Sequence, residues 1–148
     1  MVRGAIRLPL MMGLIVLSGC GEKGTATYPV TGTVTIDGKP AEGARVIFCP
    51  QQGVDPEAAR LRPLGVTDSS GQFVLTTYIN GDGAPPGTYN LIVTWPEPPR
   101  PRPEGGGGRT SRGKDRLRGK YGSPDKSGLV ATVEQGATTV PPIELKTR

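Results

Sequence analysis

From Tyr28 onward the apolar residues recur at every second position, in short runs separated by Gly, Pro and Asp turns. That period commits the chain to β-structure, because alternate side chains of a strand face opposite sides of a sheet. The strongest run is Tyr89, Leu91, Val93 and Trp95. Val30, Val34 and Ile36 alternate with Thr31, Thr33 and Thr35, a strand with a solvated threonine face. Val46 and Phe48 point one way, Arg45 and Ile47 the other. Phe73, Leu75 and Thr77 oppose Val74, Thr76 and Tyr78. Leu64–Thr67, Leu129–Val133 and Thr139–Leu145 complete seven expected strands. Asp37-Gly38-Lys39-Pro40 and Asp68-Ser69-Ser70-Gly71 turn the chain, and the only helical stretch expected is one turn over Pro56–Arg60. Pro141 and Pro142 lack the N–H that a ladder needs, so the last strand belongs at an edge or is bulged there. The expected fold is an all-β sandwich, whose core takes most of the inward apolar side chains.

Composition removes several function classes. The 148 residues include no histidine and only two cysteines. The commonest general base and the commonest zinc ligand are therefore missing, and no disulfide framework is available. Ser69 and Ser70 have no base near them in sequence. No catalytic residue, metal or cofactor is expected.

Residues 1–19 read as an address. Arg3 and Arg7 precede the apolar run Leu8–Leu17, which at about ten residues is half of the roughly 20 that a membrane-spanning helix needs. Leu17-Ser18-Gly19-Cys20 resembles a bacterial lipobox. The resemblance implies a diacylglycerol thioether on the Cys20 sulfur, cleavage between Gly19 and Cys20, and a palmitate-type acyl chain on the new amino group. Several chains anchor stably where one is marginal. Gly21 stands where Asp would favour inner-membrane retention in familiar Gram-negative systems. By that analogy the expected location is the cell envelope, outer membrane rather than inner, facing the periplasm or the outside. Residues 20–27, the lipidated cysteine and a small polar stretch, are expected to form a tether.

Three segments together resemble the carboxypeptidase regulatory-like domain, a prealbumin-like (transthyretin-like, Ig-like) β-sandwich. They are Val30-Thr31-Gly32-Thr33-Val34 running to Gly43-Ala44-Arg45-Val46, then Thr67-Asp68-Ser69-Ser70-Gly71-Gln72-Phe73, then Pro86-Gly87-Thr88-Tyr89-Asn90-Leu91. In physical terms Gly43 and Ala44 allow close packing, Gly71 takes a positive-φ turn position, and Gly87 releases a turn into Tyr89. Arg118-Gly119-Lys120-Tyr121, Ser127-Gly128-Leu129, Val133 and Gly136 resemble the closing part of small lipoproteins of this type from Planctomycetes. The resemblance implies a binding, spacing or folding module without catalysis, occupying residues 28–148. Hydroxyisourate hydrolase has the same general fold, but it relies on histidines and a terminal motif that this chain lacks.

The chain departs from that pattern by a Pro/Gly-rich insert over 96–126. Residues 100–126 carry nine Lys+Arg against three Asp+Glu, whereas the rest of the chain after Gly19 carries seven against ten. The insert is expected to be a long, flexible, disordered basic loop. Its candidate polyanion-binding residues are Arg100, Arg102, Arg109, Arg112, Lys114, Arg116, Arg118 and Lys120, facing anionic envelope polymer, phospholipid headgroups or another envelope protein. A solvated loop without a ligand is the plainer reading. Nucleic acid is not an expected partner, given the compartment and the lack of aromatic residues among the arginines.

Other candidates are weaker. Gly105–Gly108 has neither the strand nor the Lys-Ser/Thr of a phosphate loop. Asp68, Asn80 and Asp82 are oxygen ligands in turns, but their spacing fits no calcium loop. Cys49 reads as a buried small hydrophobe, with an intermolecular disulfide or a reactive thiol as the other readings. Tyr28, Tyr78, Trp95 and Tyr121 are either core and rim residues or a sugar-stacking platform. The expected function is therefore a lipid-anchored, non-enzymatic binding or structural accessory module. The alternative is a carbohydrate- or peptidoglycan-binding adaptor that uses exposed aromatics.

Overall fold

In the computed structural model, residues 24–53, 55–98 and 113–148 are described. The expected signal peptide, Gly19, Cys20 and the first part of the expected tether lie outside them, as do Arg100, Arg102, Arg109 and Arg112. The described residues form nine strands: β1 Val30–Ile36, β2 Lys39–Pro40, β3 Arg45–Pro50, β4 Leu64–Val66, β5 Gln72–Val74, β6 Gly87–Thr94, β7 Val130–Val133, β8 Thr138–Thr139 and β9 Ile143–Leu145. One 3-10 turn, Ala58–Arg60, precedes β4.

The count differs from seven for two local reasons. Asp37 and Gly38 both have positive φ, a two-residue hairpin turn that brings Lys39 and Pro40 back against Ile36 and Thr35 as β2. The final run is divided into β8 and β9 at its two prolines. The register slips there by one residue: Thr31 faces Thr139, but Val34 faces Ile143. The slip is the bulge that a pair of missing donors imposes.

The strands make two sheets. In the first, β1 is central. Thr31 has Val74 of β5 on one side and Thr139 of β8 on the other, while Thr35 lies between Pro40 of β2 and Glu144 of β9. β2 and β5 are antiparallel to β1; β8 and β9 are parallel to it and form the edge. The second sheet runs β4-β3-β6-β7, all antiparallel, with Val46 opposite Val93 and Phe48 opposite Leu91.

The inward faces meet in one core. Val30, Val34, Phe73, Leu75 and Leu145 from the first sheet pack against Val46, Phe48, Tyr89, Leu91, Val93 and Val133 from the second. Arg45 is exposed and Ile47 half-buried, as the alternation requires. Phe48 is in edge contact with Phe73 at 6.5 Å and tilted against Tyr89 at 5.5 Å. The Tyr89 hydroxyl donates to the Pro85 carbonyl at 2.6 Å, and burial pushes its phenol up to about 12. Phe73 lies over two strand glycines: a Cβ on Gly32 would stand 2.5 Å from the ring, and one on Gly65 2.8 Å. Gly71 takes the expected positive φ, +77°.

Aspartates build the turns. Asp68 accepts N–H bonds from Ser70 and Gln72 and the Ser70 hydroxyl. Asp82 accepts the N–H groups of Thr77 (2.7 Å), Tyr78 (2.9 Å) and Ile79 (3.3 Å). These two carboxylates lie beyond opposite ends of β5, and no group of three metal-ligating side chains occurs among the described residues. Hydrogen bonds from Ser70 and Gln72 hold the Asp68 carboxyl below its ordinary 3.8. At Asp37 the Thr147 hydroxyl and N–H do the same. At Asp82 burial pushes upward, and the three backbone N–H bonds outweigh it. A depressed folded-state value contributes stability that is present above the unfolded value and lost as pH falls through the folded one. Urea unfolding should therefore give constant contributions from these groups down to mildly acidic pH and a decline once pH passes below 3.8. Asp82→Asn should flatten that decline; an unchanged acid profile would remove Asp82 from the account.

Candidate functional site

The sandwich has two unlike ends. Tyr28 bridges to Ala84, and Thr138 donates to the Pro29 carbonyl, so the described chain begins at the end that holds the start of β1. We call this the tether pole. Ile36, Asp37, Glu42, Arg45, Trp95 and the last residues of the chain gather at the far pole, where Asp37 accepts from Thr147 and Arg45 faces Thr94.

The stem of the insert is clamped at the far pole. Pro96 bridges antiparallel to Asp115, the Glu97 N–H donates to the Lys114 carbonyl at 3.0 Å, and the Arg116 N–H donates to the Trp95 carbonyl at 2.9 Å. One carboxylate organises the turn that follows. Asp115 accepts the N–H groups of Trp95 (2.8 Å), Leu117 (3.1 Å) and Gly119 (2.8 Å). Leu117 then enters the core at 1% exposure, and the Tyr121 carbonyl accepts the Val93 N–H.

Within the basic insert of 96–126 the second part has a defined placement against the sandwich. Residues 113–126 pack along the β6 edge because Leu117 has a core position and Asp115 supplies acceptors for three backbone donors. Residues 99–112 lie outside the described residues.

Lys114, Arg116, Arg118 and Lys120 are all exposed around the buried Leu117. The Arg116 guanidinium lies 4.5 Å from the Trp95 ring centre, and the Lys120 ammonium 5.4 Å from that of Tyr121. Lys120 also donates to the Arg148 carbonyl at 3.1 Å. Lys39, Arg45 and Lys146 stand at the same pole. Beside the stem is an open groove of about 640 Å³ walled by Pro40, Arg45, Val66, Trp95, Pro98 and Arg116. The indole N–H is spent on the Glu42 carbonyl at 2.8 Å.

The four aromatics considered together in sequence are divided between the poles. Trp95 and Tyr121 lie at the far pole, partly buried against the core. Tyr28 and Tyr78 lie at the tether pole. Cys49 is buried and has no disulfide partner among the described residues; burial pushes its thiol upward, with Arg62 opposing. The Ser70 hydroxyl is donated to Asp68 at 2.6 Å.

Sequence reasoning overlooked Asp115 and Leu117. The signal was a lone apolar residue and a lone acid inside a basic stretch, which only the register against β6 makes meaningful. Thr67 was overlooked too: its buried hydroxyl accepts the Ala44 N–H at 2.8 Å and donates to the Ala41 carbonyl, closing the 41–44 turn. Among the described residues no helix is long and apolar enough to cross a membrane. No protein-family model matches the chain, and no curated protein matches it.

Proposed function

We propose that this chain is a lipid-anchored, non-enzymatic β-sandwich of the carboxypeptidase regulatory-like type, held in the bacterial cell envelope through Cys20. Its far pole offers cations to an anionic envelope polymer or an acidic partner protein. The observation that carries the reading is the polarity of the domain. The described chain begins at one pole, while Lys114, Arg116, Arg118 and Lys120 are exposed at the other, which an anchor at Cys20 would leave away from the membrane. Exposed cations of this kind attract polyanions over roughly 10 Å at 0.1 M salt and only about 3 Å at 1 M.

The carbohydrate-adaptor alternative has less support. Arg116 covers one face of Trp95, Lys120 stands over Tyr121, and Tyr28 and Tyr78 are at the opposite end.

The test is co-sedimentation of the chain from Gly21 onward with isolated envelope fractions. Retention is expected at low salt, loss at high salt, and a several-fold reduction at low salt when Lys114, Arg116, Arg118 and Lys120 are all changed to Gln. Retention insensitive to both salt and those changes, or no retention at all, would overturn the electrostatic role. In the full-length protein, Cys20→Ser should abolish lipid labelling; persistent labelling would sink the anchor.

A further inference from the structure

The most exposed large apolar side chain among the described residues, Ile79, is not at the cationic pole, although Val66 in the groove there is 54% exposed. Ile79 is 72% exposed and Tyr78 52%, and both sit on the tip of the 77–83 loop at the tether pole. Water-facing apolar residues on a loop tip are commonplace singly. This pair is different in two ways.

First, the loop is built to hold them out. The Asp82 carboxylate collects the N–H groups of Thr77, Tyr78 and Ile79, the residues of the tip itself. The Thr77 hydroxyl donates to the Gly83 carbonyl, and the Gly81 N–H donates to the Thr76 hydroxyl at 3.1 Å. The Gly83 backbone is buried between the Leu75 carbonyl, to which it donates at 3.0 Å, and Tyr28. A tip with most of its backbone N–H groups bonded internally presents Tyr78 and Ile79 without needing to reorganise.

Second, the tip lies where the chain leaves the sandwich. A Cβ on Gly24 would stand 3.6 Å from both Cζ and Oη of Tyr78. Cys20 is four residues upstream of Gly24. Fully extended, four residues span at most about 14 Å. The headgroup layer on each side of a bilayer is roughly 5–8 Å deep. If Cys20 carries acyl chains, the tether is too short to hold the Tyr78–Ile79 tip far from the bilayer surface.

We infer that the Tyr78–Ile79 tip is a second membrane contact, seated in the interface of the bilayer in which Cys20 is anchored. The inference rests on the lipid-anchor reading of Cys20. Tyr suits the headgroup level because its ring is apolar and its hydroxyl polar, and Ile beside it reaches the acyl boundary. Two points of contact set the orientation of the domain. The β1 axis then stands away from the membrane, and the cationic far pole is carried outward instead of lying down on the lipid.

The test uses the full chain, processed in a host that lipidates such proteins and reconstituted into phosphatidylcholine vesicles with or without bromine on the acyl chains. Trp95 is the only tryptophan of the chain. At the far pole it serves as an internal reference that brominated lipid should not quench. In Ile79→Trp the added emission is expected to be blue-shifted and to lose about half its intensity in brominated vesicles. Tyr78→Trp, read in the same way, covers the case in which the first variant does not fold. If the chain floats with the vesicles and the added emission is red and unquenched in both variants, the tip contact is overturned while the anchor stands. If the chain does not float, the anchor reading fails and the tip contact falls with it. Quenching of Trp95 as well would show the domain lying on its side, against the orientation inferred here.

Discussion

In urea unfolding, Phe73→Ala is expected to lose about 3–5 kcal/mol, a large share of the roughly 5–15 kcal/mol that a domain of this kind holds in total. The size follows from what surrounds the ring. Phe73 is 1% exposed, touches Phe48 edge-on, and covers Gly32 on β1 and Gly65 on β4. Neither glycine has a side chain that can fall into the space, so the cavity would stay open instead of partly collapsing. The ring also joins the two sheets, because Gly32 belongs to one and Gly65 to the other. The converse change is costly too: Gly32→Ala places a Cβ 2.5 Å from Phe73 Cζ, so ring or strand must move. A measured loss below about 1.5 kcal/mol for Phe73→Ala would mean that the sheets close over the gap, and the glycine-and-ring account would be wrong.

Leu117→Ala is expected to cost about 2–5 kcal/mol, whereas Arg118→Ala, one residue along and exposed, should stay within about 0.5 kcal/mol. The contrast separates two descriptions of the segment after the insert. If 113–121 only returned the chain to β7, both changes would be small. Leu117 is instead 1% exposed within the core cluster, held there by the Asp115 carboxylate on its own N–H and by the Val93-to-Tyr121 backbone bond. Thermal unfolding of the two variants side by side decides between these descriptions. Equal midpoints would return the segment to a surface loop.

The alternation in β1, β3, β5 and β6 was legible because each strand has one buried face, and period two is then the direct trace of burial. The break at Pro141 and Pro142 was legible for an equally local reason, the lack of donors. What could not be read was pairing. Nothing in Thr138–Leu145 says that it runs parallel to β1, since the partner is more than a hundred positions away and parallel and antiparallel edges share the same side-chain pattern. The far pole was half legible. Charge density singled out Lys114, Arg116, Arg118 and Lys120, which the fold leaves exposed, but the same density hid Leu117 and Asp115 among residues that looked solvated. Their roles depend on Val93 of β6 and on Trp95 just beyond its end, and composition carries no information about that neighbour. Tyr78 looked like the end of a strand; the Asp82 carboxylate turns it and Ile79 into a tip, through bonds to the backbone that no spacing rule announces.

The pairing of β1 with β8 and β9 also bears on when the domain can form. Of the strands in the described residues, Val30–Ile36 is the first to be synthesised, and its parallel partner, ending at Leu145, is the last. Until those final residues arrive, one side of β1 has bare N–H and C=O groups, and the contacts that would satisfy them are among the most distant in the chain. A polypeptide exported amino terminus first would therefore travel most of its length without a completed first sheet, the state a narrow translocation channel requires. A product that stops before Thr138 would be left with an open strand edge at its centre, prone to pair with another chain.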